Sequence, residues 1–152
     1  MIVSHTSGTI KRFGRTPWRF QTTFGTPLDN LDLFVSTIFS ADPRIEEGCV
    51  TIDQVVFEPK QLMELLSSNS LPVNYGHDWS YTVTGKQQLH ELLKASLAGW
   101  VDFLFIPTPK PFVIYADHDE YTTFYANTKS NLNRVADVLL EKGFKQIPDY
   151  QR

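Results

Sequence analysis

The densest polar cluster in the chain is Asp117-His118-Asp119-Glu120, set between two apolar runs and followed at once by Tyr121. Three carboxylates and an imidazole in a row offer two kinds of chemistry. Oxygen ligands suit calcium or magnesium, and an added imidazole admits zinc or manganese. Two carboxylates held in different environments can instead divide acid–base work between them. Turn chemistry competes with both, because Asp bonds the local backbone and consecutive residues of a tight turn point in divergent directions. The expected outcome is a solvated turn that faces another molecule, with no metal and no cofactor.

Asp102 is the more pointed residue. It interrupts the apolar run Val101–Ile106. A carboxylate there must be paired, protonated or at the wall of a pocket, since a bare buried charge is costly. Strand alternation puts it on one face with Trp100, Leu104 and Ile106, and His77, His90 or an N-terminal arginine is its expected partner. A structural ion pair is the expectation, with a pocket acid as the alternative. His77-Asp78-Trp79 sets an imidazole beside an acid after Gly76, but neighbours in sequence are not partners in space, and a third catalytic member is missing. There is no Gly-x-Ser-x-Gly elbow, phosphate loop or dinucleotide fingerprint. Four scattered histidines and the single Cys49 do not make a zinc site. Cys49 reads as a small buried hydrophobe, His90 shares an outer helix face with Lys86 and Lys94, and His5 sits in a terminal segment expected to be mobile.

Charge is distributed unevenly. Lys11, Arg12, Arg15 and Arg19 precede residue 26 with no acid among them, whereas Asp29, Asp32, Asp42, Glu46, Glu47, Asp53 and Glu58 follow with Arg44 as their one cation. The two segments are expected to pair within the fold. The basic stretch is also aromatic (Phe13, Trp18, Phe20, Phe24), the mixture that stacks bases and holds phosphates. A net charge of −3 argues against bulk attraction to nucleic acid or anionic lipid. Apolar runs such as Phe103–Ile106 are far short of the ~20 residues that span a bilayer, and no basic-then-apolar leader opens the chain. The expected compartment is the cytoplasm.

These groups must be positioned by an α+β domain covering residues 1–152. The expected sheet is mixed but largely antiparallel, ends in a C-terminal β-meander and carries three or four helices. Thr9–Phe13 and Trp18–Phe24 read as a hairpin or two short strands, with Trp18, Phe20 and Thr22 on one face. Thr26 and Pro27 read as the start of a helix through Leu31, Val35 and Ile38, ending near Ala41. Val50–Phe57 is a strand whose alternation slips after Ile52, the mark of a bulge. Pro59 opens a helix with Leu62, Leu65 and Leu66, stopped at Asn69, and residues 67–78 form a loop. Trp79–Val83 is a strand, and Thr84-Gly85-Lys86-Gln87 fits a capping box before the Leu89, Leu92, Leu93, Leu97 stripe that Gly99 ends. Val101–Ile106, Phe112–Ala116 and Tyr121–Ala126 form the meander. The proline-rich 107–111 connector is expected to guard a sheet edge. Ser130 caps the last helix, Lys142 and Gly143 stop it, and Phe144–Ile147 adds a short strand.

Three function classes fit. The first is a non-enzymatic protein-binding module, such as an immunity or inhibitor protein. Its acids and aromatics (Asp117, His118, Asp119, Glu120, Tyr121, Glu46, Glu47, His77, Asp78 and Trp79) would meet a basic protein partner. The second is a hydrolase or metal-dependent enzyme around Asp102, Asp117, His118 and His77. The third is a regulatory or scaffolding domain that self-associates through a sheet edge.

Overall fold

The computed structural model describes residues 1–150. Eight strands form one antiparallel sheet: β1 (Ile2–His5), β2 (Phe20–Gly25), β3 (Glu47–Val55), β4 (Trp79–Thr84), β5 (Val101–Thr108), β6 (Val113–Ala116), β7 (Tyr121–Ala126) and β8 (Gln146–Ile147). Their order across the sheet is β1-β4-β3-β5-β6-β7-β2-β8. Five helices accompany them: α1 (Thr9–Arg15), α2 (Leu31–Ser40), α3 (Lys60–Ser68), α4 (Lys86–Ala98) and α5 (Lys129–Glu141). The fold is α+β, as composition and patterning imply, with one helix more than expected.

The two sheet faces are unequal. One buries Phe24, Val50, Ile52, Phe103, Phe105, Ile114 and Phe124 against the apolar stripes of α2, α3, α4 and α5. Gly48 shows how closely α4 approaches β3, since a Cβ there would lie 2.7 Å from Leu89 and Phe105 carbons. The opposite face carries a small cluster of Leu104, Val113, Tyr115 and Tyr125, onto which Ile10, Phe13 and Trp18 fold. Thus the N-terminal segment crosses the sheet surface that the other helices leave open.

The helix α1 replaces the strand expected at Thr9–Phe13. Ile10 and Phe13 are three residues apart and both meet the sheet, while Lys11, Arg12 and Arg15 point to solvent. Trp18 lies on this face, whereas Phe20 packs with the main core, so the two do not share a face as expected. Thr26 does not cap α2. Its hydroxyl is paired with that of Thr122 at 2.7 Å, and the helix starts after Asn30. The capping box before α4 is absent too, because Thr84 finishes β4 and Gln87 donates to Glu91. Thr128 caps α5 instead of Ser130, accepting from the Asn131 N–H at 3.1 Å. The 107–111 connector joins two interior strands, so it guards no edge. His5 is on the edge strand β1, paired with Trp79.

Other expectations hold. The register of β3 on β5 shifts between Ile52 and Gln54, which makes Asp53 the bulged residue. The meander β5-β6-β7 is present, α3 stops at Asn69, and Gly143 takes φ 87° beyond the end of α5. No helix among the described residues is long and apolar enough to cross a membrane.

Candidate functional site

The acidic turn joins β6 to β7, and its four residues do four different things. Asp117 folds back on the turn, accepting from the backbone N–H groups of Asp119 and Tyr121 at 3.0 and 3.2 Å. Its second oxygen accepts from the Tyr150 hydroxyl at 3.0 Å, and the Tyr150 ring stacks on Tyr121 at 4.4 Å. His118 donates its backbone N–H to Asp102 at 2.7 Å and brings its ring Nδ1 to the same oxygen at 2.8 Å. Asp119 and Glu120 extend into solvent, Glu120 at a positive φ of 67°. Divergence of this kind is what a tight turn imposes, and no group of His, Cys, Asp and Glu among the described residues could hold a metal ion.

Asp102 is therefore ion-paired, as expected, but with His118 rather than with His77, His90 or an arginine. The side-chain hydrogen bond from Asp102, reinforced by its charge and those of Asp119 and Asp117, raises the His118 pKa above the ordinary imidazole value. Burial opposes this shift. The pair pins the turn to the end of β5, and with it the directions of Asp119 and Glu120.

An apolar corner adjoins the turn. Trp100, just before β5, and Phe57, just after β3, meet edge to face at 5.2 Å and stand 51% and 62% exposed. The Val56 N–H donates to the Trp100 carbonyl at 2.9 Å, which fixes the two aromatics at one end of the sheet. A small hollow links this corner to the turn, with Leu28, Trp100, Asp117, His118 and Glu120 in its wall. Leu28 is itself 49% exposed. Asp29 and Glu58, each beside one of these apolar residues, are exposed as well. The corner is thus three large exposed apolar side chains with carboxylates around them. Neither Trp100 nor Phe57 stood out in the sequence. The signal available was a large aromatic directly past a strand end or a helix-stopping glycine, where little core remains to bury it.

The other expected site residues are dispersed. His77 brings Nδ1 to the Asp53 carbonyl at 2.9 Å, and its Nε2 lies 3.5 Å from Asp78. The Asp53 hydrogen bond is the main cause of a raised His77 pKa. Asp78 is 5% exposed and structural: it accepts from the Gly8 N–H at 2.9 Å, and its backbone links Thr6 to Ile52. Burial pushes its pKa up, but the Gly8 and Ile10 N–H groups and nearby His77 and His5 more than offset this and leave it lowered. Trp79 packs its ring edge to face with His5 at 5.4 Å and leans on the main core. Glu46 and Glu47 lie at the far end of β3, because Glu47 pairs with Thr108 while Val55 pairs with Val101. At ~3.3 Å per residue that is roughly 25 Å from the acidic turn.

Comparison with protein-family models, with curated proteins and with solved structures returned no match for this chain. Function must be read from the geometry alone.

Two further groups complete the electrostatics. Asp32 of α2 is held by His90 and Lys94 of α4, each at 3.0 Å, and these hydrogen bonds keep its carboxyl below the usual range. Asp42 pairs with Arg44 at 2.7 Å, which lowers the carboxyl and raises the guanidinium. The expected pairing of basic and acidic segments does not occur. Among the described residues no salt bridge involves Lys11, Arg12, Arg15 or Arg19, and all four are exposed. Cys49 is partly exposed on β3, 3.8 Å from the Thr51 hydroxyl.

Proposed function

We propose that this chain is a non-enzymatic protein-binding module that receives a basic partner on the corner formed by Phe57, Trp100 and Leu28. The observation that carries this reading is the exposed Phe57–Trp100 pair beside the pinned acidic turn. Aromatic anchors are the residues that dominate binding energy when a partner desolvates them. Carboxylates around such anchors steer a cationic partner and select against an anionic one. Asp119 and Glu120 do the steering from the turn, with Asp29 and Glu58 on the other side. Glu46, Glu47, His77, Asp78 and Trp79 lie outside this surface and leave the proposal.

The test is affinity capture from the source cells with three baits: the wild type, Trp100→Ser and the Asp119→Lys/Glu120→Lys pair. A specific protein enriched by the wild type and lost with both variants supports the reading, provided that the purified protein rebinds. Equal recovery on all three baits removes it.

The Asp102–His118 pair favours one second reading, a hydrolase with His118 as base, because a carboxylate on Nδ1 leaves Nε2 to take a proton. Two observations weigh against it. The Nε2 that would take the proton already faces the Asp119 carboxylate at 3.7 Å. The hydroxyl in the same hollow, that of Thr26, is engaged with Thr122.

A further inference from the structure

The two edges of the sheet are finished differently. At one, β8 has two residues, Gln146–Ile147, set between Lys145 and Pro148. A very short strand, a charge and a proline are devices that keep an edge from pairing with another chain. At the other edge, β1 is four residues long, and Ile2-Val3-Ser4-His5 holds no Lys, Arg, Asp, Glu or Pro. Among the described residues β1 pairs with β4 alone. Ile2, Ser4 and His5 are exposed, Ile2 at 68%. The helix that follows turns back over the sheet, where Ile10 and Phe13 are held, and so leaves the edge open.

The hydrogen bonds fix what that edge offers. Ser4 stands opposite Ser80, and Ile2 opposite Thr82. The Thr6 N–H donates to the Asp78 carbonyl at 3.2 Å, whereas the Trp79 N–H turns back to the Gly76 carbonyl. Bonded and non-bonded pairs alternate along an antiparallel ladder. Ser4 and Ile2 are in phase with Thr6, so they direct their backbone groups to β4. Val3 and His5 are out of phase, and their N–H and C=O groups point away from the sheet.

A second copy of β1 meets these groups by symmetry. Residues opposite each other in a sheet lie on the same face, and faces alternate along a strand. A two-fold axis normal to the sheet must therefore pass beside a residue, not between two. With the axis at Ser4, Val3 of each copy stands opposite His5 of the other, and every outward N–H and C=O of both strands has a partner. No like charges oppose across the seam, because the strand carries neither acid nor Lys or Arg.

We infer that β1 pairs antiparallel with β1 of a second copy about a two-fold axis at Ser4, joining two sheets into one. Four residues a side is far fewer than the ~20–30 of a standard interface, so the dimer is weak and forms at high concentration. The inference does not rest on the Phe57–Trp100 corner, which no residue of β1 joins.

Sedimentation equilibrium of the whole chain from about 10 µM to about 1 mM should show a reversible monomer–dimer equilibrium. Over the same range, amide exchange followed by NMR should slow several-fold at Val3 and His5 and stay constant at Ser4, whose N–H is already bonded to β4. Ser4→Lys and Ser4→Glu each set a charge against its own copy in a non-bonded pair, with Cα atoms ~4.5 Å apart. Each should weaken the dimer at least tenfold and, on an exposed side chain, keep the fold. An equimolar mixture of the two variants should dimerise at least as well as the wild type, since the axis then brings opposite charges together. A wild type that stays monomeric at about 1 mM overturns the inference. So does a dimer whose Val3 and His5 amides exchange as in the monomer, a dimer indifferent to both Ser4 variants, or a mixture that stays monomeric. Val3 and His5 amides that slow only in an extract of the source cells overturn the second copy and assign the edge to a foreign strand.

Discussion

Replacing Asp102 with Asn tests how the acidic turn is held. Both hydrogen bonds from His118 end on one oxygen of Asp102, which an Asn oxygen can occupy, so the substitution removes the charge and little else. Hydrogen bonds to an ionised group contribute about 1.5–3 kcal/mol and neutral ones about 1. The His118 side chain is 30% exposed, so water replaces part of what is lost. The expected cost is about 1–2 kcal/mol at pH 6. Its pH dependence follows from the direction of the His118 shift. A pKa raised on folding gives stability fully present below the unfolded imidazole value of about 6.5, and lost as pH rises through the folded value. The gap between wild type and variant should therefore shrink from pH 6 toward pH 9. His77 also has a raised pKa, from its Asp53 hydrogen bond, but it titrates in both proteins and cancels in the difference. Urea unfolding at pH 6, 7.5 and 9 reads the gap directly. A gap that stays constant, or widens with pH, refutes the imidazolium–carboxylate account of the turn.

Three further outcomes follow from the packing. Gly48→Ala forces a Cβ to within 2.7 Å of Leu89 and Phe105, so urea unfolding should show a loss of about 1–3 kcal/mol from overpacking. Thr128→Ala removes the α5 cap, and unfolding should register a loss of about 1 kcal/mol, with Thr128→Ser restoring most of it. Asp78→Ala frees the Gly8 N–H and unfastens α1 from the loop before β4, so hydrogen exchange should quicken over residues 6–15 while the α4 and β5 amides stay protected.

Much of the fold was legible because long stripes and β-branched runs leave little choice. The Leu89, Leu92, Leu93, Leu97 stripe, the apolar run of β5 and the slip after Ile52 all took the expected form. The errors cluster where short polar residues have two possible partners. Thr26 and Thr84 each carry a capping side chain, but one bonds a hydroxyl across the sheet and the other ends a strand. The segment at Thr9–Phe13 is too short for propensity to decide between helix and strand, and only contact of Ile10 and Phe13 with the sheet settles it. The sites were harder still. His118 was visible as part of an acidic turn and Asp102 as a buried acid, yet their pairing depends on which strand follows which across the sheet. The antiparallel register also carried Glu46 and Glu47 to the end opposite the turn, a separation that charge counting along the sequence does not reveal.

The association rate of the captured partner, followed from about 20 to about 300 mM salt, bears most directly on the binding surface proposed here. Carboxylate steering predicts a rate that falls at least tenfold over that range as screening shortens from ~20 Å toward ~6 Å. Charge reversal at Asp119 and Glu120 should abolish that fall, while Trp100→Ser should leave the association rate nearly intact and hasten release. A rate flat in salt for the wild type, or a complex indifferent to Trp100, would contradict the account.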